Sequence, residues 1–91
     1  MPNTDIKLLD NLLDALDRLY DRATTVTDLH ALVYATKVAL SETVHTAILT
    51  DAEQRLQRIL RSGKSVTEER DVALNETDDL RKYLAGVVPF P

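Results

Sequence analysis

The chain has 91 residues, with 11 Lys and Arg against 15 Asp and Glu, no cysteine, and a net charge of −4 at pH 7. That length suits a single helical domain over residues 1–91, and the missing cysteine excludes thiol nucleophiles, disulfides and zinc-thiolate sites. The acidic balance speaks against nucleic acid, whose binding rests on neutralised phosphates, and no apolar run approaches the ~20 residues of a membrane span.

Glycine occurs only at Gly63 and Gly86, and proline only at Pro2, Pro89 and Pro91. With no hairpin dipeptides and no sustained period-2 runs, the pattern predicts an all-α fold, a small antiparallel bundle of three to four helices. The first helix is expected over about 4–23, with Ile6, Leu9, Leu12, Leu13, Leu16, Leu19, Tyr20 and Ala23 on one broad face. Asn3 or Thr4 is placed to cap its start, and the β-branched run Thr24 to Thr27 ends it.

A second helix is expected over about 28–49, with Thr27 as N-cap and Asp28 in its positive first turn. Thr50-Asp51-Ala52-Glu53 then reads as a capping box that starts a third helix over 51–62, stopped by Ser62-Gly63. The alternative is one continuous helix from Asp28 to Arg61, since Ala52, Leu56 and Ile59 stay in phase with Val44 and Ile48. Such a rod would be roughly 50 Å long. It would protrude from a domain whose radius of gyration is about 12 Å and would need a second chain over Leu56, Ile59 and Leu60. Ser65-Val66-Thr67-Glu68 is a second capping box, opening a fourth helix over 67–85 with Gly86 as its C-cap. Residues 86–91 form an apolar tail, with Phe90 placed to fold back as a plug.

Gly63-Lys64-Ser65 ends like a phosphate-binding loop, but Arg58 stands where that loop needs its first glycine, and an amphipathic helix precedes it instead of a strand. Glu42-x-x-His45 places two potential metal ligands one turn apart, the unit that di-iron bundles use in pairs. Ser41 and His45 have the spacing of a hydroxyl and a base, without an orienting carboxylate or oxyanion donors. Asp10, Asp14, Asp17 and Asp21 align as an acidic stripe along the first helix, tempered by Arg18 and Arg22. Arg55, Arg58, Arg61 and Lys64 wind around the third helix as its basic counterpart.

No nucleophile, paired acid and base or complete cofactor set is present, so the expectation is a non-enzymatic protein-binding module without cofactor. It would dock a basic protein partner on Asp10, Asp14, Asp17 and Asp21. The alternatives are a homo-oligomeric structural bundle, with a homodimer formed through Leu56, Ile59 and Leu60, or a dimeric metal-binding bundle using Glu42 and His45. Small acidic helical bundles recur among immunity proteins, antitoxins, inhibitors and adaptor subunits, an analogy of fold and charge alone. Met1 to Asp5 lacks the basic and apolar regions of a signal peptide, so the expected compartment is the cytoplasm.

Overall fold

The computed structural model describes residues 2–88, and side chains from residue 5 onward. The described residues form five α-helices and no strand: α1 (Pro2–Tyr20), α2 (Val26–Ala39), α3 (Thr46–Arg61), α4 (Val66–Glu76) and α5 (Asp78–Val87). Phe90 lies outside the described residues.

Leu9, Leu12, Leu16 and Leu19 recur at 3- and 4-residue spacing and make α1 the spine of the core. The helix stops at Tyr20, three residues before the expected end. Arg22 adopts the left-handed conformation (φ 63°). The Ala23 N–H donates to the Arg18 carbonyl (2.7 Å) and the Arg22 N–H to the Leu19 carbonyl (3.2 Å). That pair of bonds is a Schellman closure with arginine where glycine is usual. Arg70 of α4 completes the cap: its Nε donates to the Leu19 carbonyl (3.0 Å) and its guanidinium NH2 to the Tyr20 carbonyl (2.6 Å).

The cap of α2 is Thr25, not Thr27: its Oγ1 accepts from the Asp28 N–H at 3.1 Å. The earlier start brings Val26 into register with Leu29, Val33 and Thr36, all buried. Packing thus chooses among three chemically equivalent threonines.

The long continuous helix does not form, and the break falls before Thr46 rather than at Thr50. Glu42 takes φ 66°. The Leu40 carbonyl, left over at the end of α2, accepts from the hydroxyls of Thr43 (2.6 Å) and Thr46 (3.1 Å). Threonine side chains competing for backbone groups thus end α2, and α2 and α3 pack as a hairpin. Thr50 lies inside α3, so the Thr50–Glu53 capping box is absent and Glu53 is released for another partner.

The Ser65–Glu68 box is formed: Ser65 Oγ accepts from the Glu68 N–H (3.2 Å) while Glu68 Oε1 accepts from the Ser65 N–H (3.4 Å). Gly63, at φ 74°, supplies the left-handed turn that ends α3. The predicted fourth helix is two helices. Buried Thr77 turns its hydroxyl back to the Ala73 carbonyl (2.6 Å) and ends α4, and Asp78 and Asp79 then occupy the first turn of α5. The bend lays Leu80 and Leu84 against α1. Gly86 lies within α5, whose C-cap is Val88. The radius of gyration is 12.6 Å. No helix among the described residues is long and apolar enough to cross a membrane.

Candidate functional site

A surface helix ordinarily turns charged residues outward. Four of the five do: Asp10 and Asp14 on α1, Asp51 and Arg58 on α3, Glu68 and Asp71 on α4, Asp79 and Lys82 on α5 are all exposed. α2 does not. Its inner side buries Val26, Leu29, Val33 and Thr36, while its outer side exposes Ala31, Tyr34, Ala35, Val38 and Ala39. Tyr34 is 51% and Val38 54% exposed, and Val44, in the turn that follows, is 86% exposed. Burying a valine or tyrosine of this kind against a partner is worth about 1.5–3 kcal/mol per side chain when complete.

An ion-pair network stands behind this face. Glu53, in the middle of α3, is only 8% exposed. His30 Nε2 donates to its Oε2 at 2.9 Å and Lys37 Nζ to its Oε1 at 3.2 Å. The two donors lie seven residues apart, hence on the same side of α2. The hydrogen bond from His30 holds the Glu53 carboxyl below the ordinary carboxylate range; burial opposes it and Lys37 reinforces it. Lys37 Nζ also sits 4.9 Å from the centroid of the Tyr34 ring. Glu53 therefore positions Lys37, and Lys37 stacks on Tyr34 at the edge of the apolar face.

The acidic stripe is only partly a free surface. Asp17 is taken by Arg81 of α5 at 2.6 Å, and Asp14 stands 3.9 Å from Arg18. Asp21 lies past the end of α1 in the Schellman turn, while Asp10 and Asp21 make no ion pair among the described residues. The helix 3 residues expected at a dimer interface are mostly interior: Leu56 is 0% and Ile59 4% exposed, and Leu60 packs half-buried against the same cluster. With the continuous rod absent, Leu56 and Ile59 face α2 and the rest of the core and present nothing to a second chain.

Glu42 and His45 do not share a helix, because both fall in the turn between α2 and α3. The ligand spacing expected of them therefore fails. His45 Nδ1 instead lies 2.6 Å from the Tyr83 hydroxyl, in an edge-to-face ring contact that ties this turn to α5. Among the described residues no three His, Asp or Glu side chains gather as a metal site. Gly63-Lys64-Ser65 joins two helices, and Arg55 is occupied by Asp51 and Glu76. A cleft of about 410 Å³ lies between the end of α1 and the starts of α2 and α4, but Arg70 on its wall is already bonded to the α1 carbonyls.

Two features escaped the sequence reading. The uncharged stretch Ala31, Tyr34, Ala35, Val38 was visible in the sequence as a missing polar face. The Glu53 network was hidden because Glu53 also fits a capping box. Compared with family models, curated proteins and solved structures, the chain matches none.

Proposed function

We propose that this chain is a non-enzymatic protein-binding module that acts in the cytoplasm and docks a protein partner on the outer face of α2. One observation carries the reading. α2 is largely apolar on both sides, and the side formed by Ala31, Tyr34, Ala35 and Val38 has no cover among the described residues. Exposed apolar surface rimmed by polar residues marks interaction sites, and tyrosine anchors recur at the centres of such interfaces. The Glu53–Lys37–Tyr34 chain of contacts supports the same reading, since a held ring loses less freedom on docking.

A second role belongs to α1. Asp10 and Asp21, together with exposed Asp14, leave an acidic edge that draws in a basic partner and sets the salt dependence of its arrival.

The test uses Val38→Asp and a four-fold Asp→Asn variant at Asp10, Asp14, Asp17 and Asp21. Each is compared with the wild-type chain as bait in extract of the source cell, after circular dichroism has shown native helicity. Val38→Asp is expected to abolish capture of the wild-type partner. The Asn variant is expected to weaken it mainly at low salt. Equal capture by Val38→Asp and wild type refutes the α2 reading.

A further inference from the structure

We infer that the cleft between the end of α1 and the starts of α2 and α4 binds a small-molecule carboxylate with an apolar body. The anion rests on Arg22, and the body rests on Leu19, Val26 and Val66. The cleft is separate from the outer face of α2 and adds a ligand to the protein partner proposed there.

At about 410 Å³ the cleft falls in the size range of small-molecule sites, which are mostly apolar with a few polar groups. Leu19 and Val26 on its lining are buried, and Val66 beside them is 75% exposed. Val66 opens α4, at a surface position where a helix ordinarily presents a polar side chain. A bare phosphate would leave oxygens without partners against this apolar lining. A carboxylate on a hydrocarbon body suits both the lining and the cation.

The chain has a net charge of −4, yet no Asp or Glu lines the cleft, whereas Arg22 and Arg70 do. Arg70 is engaged by the fold: besides its bonds to the Leu19 and Tyr20 carbonyls, its Nη1 donates to Asp71 at 3.3 Å. Those bonds offset the negative end of α1, which would otherwise repel an anion. Arg22 makes no ion pair among the described residues. The positive ends of α2 and α4, which open at Val26 and Val66 on the same rim, add to its field.

The backbone at Arg22 points the same way. After α3 the left-handed turn is filled by Gly63 (φ 74°), which has no Cβ to clash. After α1 the same turn is held by Arg22 (φ 63°), at a steric cost that no ion pair among the described residues offsets. Strain of this kind gathers at ligand clamps. A guanidinium matches a carboxylate with two parallel N–H donors, a use of the position that glycine cannot supply.

The probes are hydrocinnamate, a phenyl ring on a short carboxylate arm, its uncharged amide, and inorganic phosphate. Each is titrated into the isotope-labelled chain and followed by amide NMR shifts. Hydrocinnamate is expected to move the Arg22, Val26 and Thr67 signals saturably, with a Kd of about 1 mM for a ligand of this size. The amide lacks the charge and phosphate lacks the body, so each is expected to bind at least about tenfold more weakly. Arg22→Gly is expected to lose hydrocinnamate by the same factor while keeping native circular dichroism and a Tm no lower than that of wild type. That loss cannot come from a damaged fold. No saturable shift at these signals up to about 10 mM hydrocinnamate, equal binding of the amide or of phosphate, or undiminished binding by Arg22→Gly overturns the inference.

Discussion

Replacing Glu53 tests the network behind the docking face. Glu53→Gln keeps the shape of the side chain and removes its charge; its single amide oxygen can accept from only one of His30 and Lys37, and the other donor loses its acceptor. Breaking one partner of a fully buried ion pair costs about 3–5 kcal/mol. Here both donors keep part of their side chains in water, so hydration recovers much of that and the expected loss is about 1–2 kcal/mol. For a domain of this size that corresponds to a fall in Tm of roughly 4–16 °C. The assay is thermal unfolding followed by circular dichroism at neutral and acid pH. The Glu53 carboxyl is held below its ordinary value in the folded state. Its contribution is therefore fully present above the unfolded pKa, about 4.3, and is lost as pH falls through the lower folded value. The gap between wild type and Glu53→Gln should accordingly narrow as pH falls below the ordinary carboxylate range. An unchanged Tm at neutral pH, or a gap that persists undiminished in acid, refutes the account of Glu53.

Arg22→Gly should stabilise the chain by about 0.5–1 kcal/mol in urea unfolding, because glycine adopts the left-handed position at the end of α1 without the Cβ penalty that Arg22 bears. A loss of stability would mean that the Arg22 side chain makes contacts worth more than that strain. Leu56→Ala should destabilise by about 2–5 kcal/mol, the cost of a core cavity. A loss under ~1 kcal/mol in the same unfolding assay, typical of surface positions, would place Leu56 outside the core and return it to the candidate interface.

The all-helical class and most of the core were legible in the sequence. The 3- and 4-residue spacing of Leu9, Leu12, Leu16 and Leu19, and the scarcity of glycine and proline, are local properties that hold whatever the helices pack against. Gly63 and the Ser65–Glu68 box were equally readable, because a left-handed turn and a reciprocal cap are decided within four residues. Tertiary packing decided the rest. Thr25 caps α2 because that start buries Val26, and a break at Thr43–Thr46 rather than Thr50 puts Leu56 and Ile59 into the core. Thr77 bends the chain so that α5 covers α1 and Arg81 reaches Asp17. The candidate site divides in the same way. The absence of charge along Ala31, Tyr34, Ala35 and Val38 is written in the sequence, but which side of an apolar helix stays uncovered depends on where its neighbours lie. The meeting of Glu53 with His30 and Lys37 needs two helices brought side by side, and no spacing within either one encodes it.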